Sequence, residues 1–438
     1  FGLLGLVLLY SFISLFFSYP LPIALIASIS IILTLQGLFS LYLMAYAWES
    51  PKEAIDPSSP TRYHKPKHRF TAIVPARHEK EVIAQTIASI NRIDYPDEYK
   101  EIIVVCRADD EETIQVAQEE IDRIGNSRIQ LVTFSDLPIN KPHGLNFALP
   151  YATGDIVTIF DAEDEPHPHI YNLINTAYFD SGADIIQSGV QLMNHESNWY
   201  SLFNVLEYFF WFKSNLHFFS RMQLTPLAGN TVFFKKKWLT GIGGWDEECL
   251  TEDADIGFRL SIAGAKIHVI YDARYVTQEE TPPTITSFIK QRTRWNQGFI
   301  QILLKGDRRA HPTFTQRALA LYVLTWPIAQ GILFIYTPIA LLLAFLLKMP
   351  VLVAIIANLP LYMLGLFLVV YNIGLYEFTR DYAKKYRWYY PLISVLYFYP
   401  FQIALGLAAF RALYRSLRGL TAWEKTAHAN IHREPIPA

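Results

Sequence analysis

Hydrophobic positions along this chain follow two regimes. In the first, apolar residues run without interruption. No Asp, Glu, Lys or Arg occurs from Phe1 to Trp48, nor in Ala318–Leu347, Met349–Tyr376 or Trp388–Phe410. Each stretch can cross a hydrocarbon layer ~30 Å thick, which takes about 20 helical residues. Phe1–Trp48 is long enough for two passes, with Tyr19-Pro20-Leu21-Pro22 as the break. The pattern predicts about five membrane segments, two before a polar block and about three after it. A cleaved leader is not expected, because the first stretch is too long and lacks a basic start.

In the second regime, from about His68 to Glu280, short apolar runs alternate with amphipathic ones. Phe70–Val74, Ile102–Val105, Ile129–Thr133 and Asp155–Phe160 read as strands, and Asp184–Gln187 begins another. Lys80–Asn91 reads as a helix, apolar at Val82, Ile83, Ile87 and Ile90, and Thr113–Ile124 as a second. Strand and helix alternating at this spacing predict an α/β fold with a mostly parallel sheet covered on both faces. The expected organisation is two membrane helices in 1–48, an α/β domain in 66–284, an interfacial helix in 285–310, further membrane helices in 316–413 and a tail in 414–438.

Charge adds orientation. Lys52, Arg62, Lys65, Lys67 and Arg69 lie before the polar block, and Lys305, Arg308, Arg309 and Arg317 after it. Basic residues stay on the cytosolic side of membrane segments. The block is therefore expected to be cytosolic, in an integral protein of the plasma (inner) membrane. Arg380, Lys384, Lys385 and Arg387 mark a further cytosolic loop. Three passes after the block would place Arg411, Arg415 and Arg418 outside, against the rule. Either Trp388–Phe410 is a re-entrant hairpin broken at Pro391 and Pro400, or one pass is miscounted. The net charge of −2 gives no reason to expect nucleic acid as a partner. Two cysteines, Cys106 and Cys249, fit a reducing compartment.

Ligands of such sheets bind beyond the carboxyl ends of the strands. There the chain places Pro75-Ala76-Arg77-His78-Glu79, then Cys106-Arg107-Ala108-Asp109-Asp110-Glu111, then Asp161-Ala162-Glu163-Asp164-Glu165-Pro166. Close carboxylates raise one another's pKa unless a cation offsets them. Mg²⁺ or Mn²⁺ does so while bridging carboxylate and substrate phosphate. A second cluster is Thr251-Glu252-Asp253, where Thr251 is placed to cap a helix with Ile256, Leu260 and Ala263 on its apolar face. In Gln291-Arg292-Thr293-Arg294-Trp295, residues 291, 294 and 295 share one helix face. They offer an amide, a guanidinium for phosphate and a ring for a sugar. Trp199–Met222 is aromatic-rich, with only Glu207, Lys213 and Arg221 charged, and is read as an interfacial helix in the headgroups.

Taken in order, P-A-R-H-E, D-A-E-D-E-P, G-N-T, G-G-W-D, T-E-D and Q-x-x-R-W resemble the motifs of membrane-bound family-2 glycosyltransferases, which include cellulose, chitin and hyaluronan synthases. The likeness spans about Phe70 to Gln301. It implies a GT-A-like nucleotide-diphospho-sugar transferase domain beside α-helical transmembrane segments. By the same resemblance, Pro75 and Glu79 help hold the nucleotide, with His78 where the family has Asn. Asp109 or Asp110 contacts the base or ribose, and Lys141 and Asn146 belong to the donor site. Asp161 and Glu163 fill the family's metal-binding D-x-D, with Asp164 as the alternative second ligand. Asp253, beside Glu252, takes the place of the catalytic base. Gln291, Arg294 and Trp295 belong with the diphosphate and acceptor, and Asn230 and Trp245 with the acceptor wall.

The activity implied is inverting, metal-dependent transfer of a hexose from a nucleotide-diphosphate sugar, UDP-linked by preference and GDP-linked as the alternative. The acceptor expected first is a growing β-linked polysaccharide. A single transfer to a lipid or lipid-linked acceptor is the second reading, and a non-catalytic transport or binding subunit the third.

Overall fold

A computed structural model describes residues 21–49, 51, 60, 62–346, 349–422 and 424. The first of the two expected N-terminal passes, and most of the tail, lie outside the described residues. Helix α1 (Leu21–Glu49) leads into the polar block. There β1 (Phe70–Ala76), β2 (Lys100–Arg107), β3 (Ile129–Phe134), β4 (Ile156–Ile159), β5 (Ile185–Gln187), β7 (Val232–Lys235) and β8 (Ile267–Val269) form one sheet in the order β3-β2-β1-β4-β7-β5-β8. Pairing is parallel except at β7, which runs antiparallel to β4 and β5. Two short strands, β6 (Val190–Leu192) and β9 (Thr277–Glu279), pair in parallel beside it.

The largely apolar sequence of β1 has a direct cause, since a strand covered on both faces buries nearly every position, and its one polar residue, Thr71, spends its hydroxyl on Glu101. Phe70, Ala72 and Val74 face α2 (Ile83–Asn91), α3 (Glu111–Ile124) and α5 (Ile170–Ser181). Ile73, with Ile103 of β2 and Val157 of β4, faces α4 (Lys141–Ala148), α8 (Lys236–Gly241) and α9 (Glu252–Ile262). Within α9, Ile256 and Leu260 are buried as expected, but Ala263 is exposed. Thr251 holds the N-cap position without a side-chain cap bond; Asp253 Oδ1 instead accepts from the Ala254 N–H at 2.7 Å.

The aromatic stretch forms α6 (Ser201–Phe210), a π-helical turn at Trp211–Asn215 and α7 (Leu216–Arg221). It does not lie with one face in the headgroups. Phe203, Val205, Leu206 and Phe209 are fully or almost fully buried, and α6 is sandwiched between the sheet region and the apolar helices. The π-turn aims Lys213 at α14 (Leu359–Asp381), where Nζ meets Glu377 Oε1 at 2.8 Å and Asp381 Oδ2 at 2.5 Å. Trp48 of α1 donates to the same Glu377 at 2.8 Å. One buried lysine thus ties the aromatic stretch to α14, which also holds α1.

The remaining helices are α10 (Ile285–Lys305), α11 (Phe314–Leu324), α12 (Trp326–Leu346), α13 (Val351–Ala357) and α15 (Tyr390–Leu417). Among the described residues four helices, α1, α12, α14 and α15, are long and apolar enough to cross a membrane. Of the two explanations offered for the basic end of α15, the hairpin needs correction. Pro400 lies inside one continuous helix, so there is no hairpin. Tyr390, at its start, donates to Glu196 at 2.7 Å, and Arg415, near its end, donates to Gln297 of α10 at 3.0 Å. Between these points Thr293 of α10 reaches the Ala408 carbonyl at 3.4 Å. Arg415 therefore ends α15 in contact with the helix that carries Gln297.

Candidate active site

A cleft of about 660 Å³ opens at the carboxyl edge of the sheet and continues between the apolar helices. Its sheet end is formed by Pro75–Glu79 after β1, Arg107 of β2 and Phe134 of β3. Its middle is formed by Lys141, Asp161, Glu163, Glu252, Asp253, Asn230 and Glu279. Gln291, Arg294 and Trp295 of α10 close one side, so the three residues predicted to share a helix face all meet the cleft. The far end runs past Leu43 and Met44 of α1, Trp326 of α12 and Phe367 and Tyr371 of α14.

Lys141 is the hub. Its ammonium contacts Asp161 and donates to the Gly229 carbonyl at 3.0 Å. A Cβ at Gly229 would stand 3.1 Å from Asp253 Oδ2 and 3.6 Å from Lys141 Nζ, so Asp253 and the lysine flank this glycine. Burial disfavours the ammonium charge, but Asp161, Glu252 and Asp253 outweigh it and hold Lys141 well above the usual lysine range. Burial also pushes the Asp253 and Glu252 carboxyls up. For Asp253 the Ala254 N–H, Lys141 and Arg294 pull the other way without cancelling the effect. For Glu252 the neighbouring Asp253 adds to the rise, against Lys141 and Arg294. Residues from α4, the β4 edge and α9, far apart in sequence, thus form one balanced cluster.

The helix that carries Gln291, Arg294 and Trp295 is stapled to the turn that carries Asp253. Leu250 N donates to Gln301 at 2.9 Å, Gln301 donates to Glu248 O at 3.1 Å, and Lys305 reaches Asp255 at 2.6 Å. Gly298 lets α10 lie directly on Thr251. A Cβ there would fall 2.6 Å from Thr251 Cγ2 and 2.7 Å from its Cβ. Gly298→Ala is expected to destabilise the fold by about 1–3 kcal/mol through overpacking. Thermal unfolding checks this, and an unchanged midpoint would show that α10 does not need the close approach. Along the same helix, Arg292 stacks over Trp295 at 4.4 Å and pairs with Glu207 of α6 at 2.7 Å, fixing the ring beside the cleft.

Five predicted residues do not line the cleft. Asp110 is buried, accepting from His78 N at 2.5 Å and capping α3 through Thr113 N at 3.4 Å. Burial opposes its ionisation, but the His78 and Thr113 bonds prevail and hold it below the ordinary range. It thereby secures His78 at φ 56°, in the left-handed region where His and Asn are tolerated. Asp109 is largely exposed and pairs with Arg107 at 2.8 Å. Asn146 bonds both the N–H and the carbonyl of Trp245, at 2.9 and 2.8 Å, and Trp245 is core. Asp164 is fully buried, accepting from Asp161 N at 2.7 Å and from Asn230 at 2.8 and 2.9 Å. Of the two candidates for second metal ligand, Glu163 is the one on the cleft. Sequence reasoning missed Glu279, which ends a three-residue strand without pattern, and Arg107, hidden within an acidic turn.

Comparison with known proteins agrees with this geometry. The family model described as "Glycosyltransferase like family 2" matches residues 66–298, more than half of the chain. The chain belongs to glycosyltransferase family 2. Among named relatives of this family-2 glycosyltransferase, the poly-beta-1,6-N-acetyl-D-glucosamine synthase of Staphylococcus epidermidis is 25% identical over 283 residues, 62% of this chain and 64% of that protein. The beta-monoglucosyldiacylglycerol synthase of Trichormus variabilis is 24% identical over 235 residues, 52% of this chain and 48% of that protein. The chain thus spans about half to two-thirds of these relatives' length. A mannosyltransferase from Pyrobaculum calidifontis, solved with GDP-Man and Mn²⁺, superposes with a TM-score of 0.56 at 20% identity, over 89% of this chain and 99% of that one. The shared fold is GT-A-like.

Proposed function

We propose that this family-2 glycosyltransferase moves a sugar, with inversion, from a nucleotide-diphosphate donor to a hydroxyl of a lipid or lipid-linked acceptor at the cytosolic membrane face. The observation that carries the reading is the continuity of one cleft. Asp161, Lys141 and Asp253 meet in its middle, and its far end passes between apolar helices. In this reading the nucleotide lies at the ends of β1 and β2. Asp253 takes the proton of the acceptor hydroxyl as its oxygen bonds the anomeric carbon. The bond from that carbon to the diphosphate breaks, and Lys141 and Arg294 receive the charge released. Trp295 gives the acceptor sugar a face to stack on.

Asp161 and Glu163 fit a divalent ion of the Mg²⁺ or Mn²⁺ kind, which takes one or two carboxylates and completes its shell from phosphate. Among the described residues no cluster of three or more such side chains forms a ready-made metal site, which accords with an ion that arrives with the donor. When bound, the ion supplies further neutralisation of the diphosphate. Excess chelator is expected to slow transfer at least about tenfold, with Mg²⁺ or Mn²⁺ restoring it. Full activity in chelator would remove the metal from the scheme.

The far end of the cleft favours an acceptor with an apolar tail, because Leu43, Met44, Phe210, Val323, Phe367 and Leu405 line it. The rings of Tyr208, Trp295 and Trp326 on the same path support a second reading, a growing polysaccharide stacked along the wall. Incubating membranes containing the chain with labelled nucleotide sugars, then sizing the product, decides between them. One organic-soluble band supports the lipid acceptor, a ladder the polysaccharide, and no product with any donor defeats both.

A further inference from the structure

The sheet end of the cleft carries a recognition group of unexpected sign. Resting on the reading of this end as the donor-nucleotide site, we infer that Arg107 reads the nucleobase and selects guanine over uracil. Arg107 ends β2, directly opposite Phe134 in the β2–β3 register, and both side chains line the cleft. The guanidinium therefore stands at this end of the cleft beside Phe134, a ring that is itself packed against His143 and Phe147. Arg107 is only 16% exposed, and its Nε contacts the outlying Asp109 carboxylate at 2.8 Å. Nε is thereby occupied, whereas Nη1 is shielded from solvent and has no hydrogen-bond partner among the described residues. A buried donor left unmet costs free energy, so a ligand that meets it is favoured.

The two acids that follow Arg107 in sequence do not take over this role. Asp110 spends its oxygens on His78 and Thr113, and Asp109, largely exposed, is paired with Arg107 itself. A carboxylate here would accept from the N3–H of uracil. A forked guanidinium instead needs two adjacent acceptors on one base edge. Guanine presents them as O6 and N7, the geometry of the commonest specific arginine contact to a base. Uracil flanks its N–H donor with one carbonyl on either side, and adenine sets a donor beside N7. Cytosine also shows an adjacent pair, O2 and N3, on a smaller ring with less apolar surface to bury in the cleft. The sequence alone favoured a uridine donor; the chemistry of the site reverses that preference.

The test is direct binding of GDP, UDP, CDP and ADP to the purified full chain in detergent with Mg²⁺, by calorimetry. GDP is expected to bind at least about tenfold tighter than UDP, the scale of one good forked contact. Arg107→Lys keeps the charge near the diphosphate but loses the fork. It should erase most of the GDP preference while weakening UDP less than about twofold. Equal binding of UDP and GDP by the native chain, or equal weakening of both by Arg107→Lys, would overturn the assignment. CDP binding tighter than GDP would overturn it in favour of the smaller base. If no nucleotide binds, the donor-site reading itself falls, a result distinct from tight UDP binding, which leaves that reading standing.

Discussion

Replacing Asp253 by Asn is expected to lower the rate of sugar transfer by about 10³-fold while leaving donor affinity within about threefold. The substitution keeps size and the hydrogen bond from Ala254 N, which an amide oxygen also accepts. It removes the capacity to take a proton. Asp253 lies at the N-terminus of α9, across Gly229 from Lys141, in the part of the cleft facing Gln291, Arg294 and Trp295. It stands apart from the Arg107 end, so a base-lacking enzyme should still hold nucleotide. Single-turnover rates alongside donor titration separate the two effects. Native turnover in the variant would move the base elsewhere, with Glu252 the first alternative. The same residue governs pH dependence. Transfer requires the carboxylate, and burial raises the Asp253 pKa. The acid limb of the rate profile should therefore lie above the ordinary carboxylate range, and Asp253→Asn should flatten what activity remains.

Much of this site was legible because each part obeys a local rule. β1 and β2 appear as apolar runs at Ala72–Val74 and Ile102–Cys106, since strands buried on both faces leave little room for polar residues. Gln291, Arg294 and Trp295 share a face because helical spacing requires it. What sequence could not give was direction and partnership. Asp161 and Asp164 occur three residues apart in one acidic turn, yet one lines the cleft while the other folds back to receive the Asp161 N–H. Local composition does not encode which way such a turn closes. The role of Asp110 was misjudged for the same reason, because His78 and Thr113 are its partners through tertiary placement. The length of α15 suggested a crossing; only the bonds at its two ends reveal its partners, Glu196 and Gln297. The reversal of β7 is equally silent, as Val232–Lys235 reads the same in either direction.

Lys141→Met is expected to reduce transfer by about 10²–10³-fold, the scale of losing one preorganised electrostatic contact. It should also move the acid limb of the pH profile upward. The native ammonium touches Asp161 and lowers the proton affinity of both Glu252 and Asp253. Methionine fills similar volume without charge, so three carboxylates then face one another across the cleft with less compensation. Each binds its proton more tightly, and the base is freed only at higher pH. The sign distinguishes this from simple misfolding, which would lower activity at every pH alike. A lysine that served only to brace the Gly229 carbonyl would leave the limb where it was. Rates for Lys141→Met and the native chain, measured across the same pH range, therefore decide whether this residue acts through its charge. An unmoved or downward-shifted limb would mean that the carboxylates find their balance elsewhere, with Arg294 the remaining cation that acts on both.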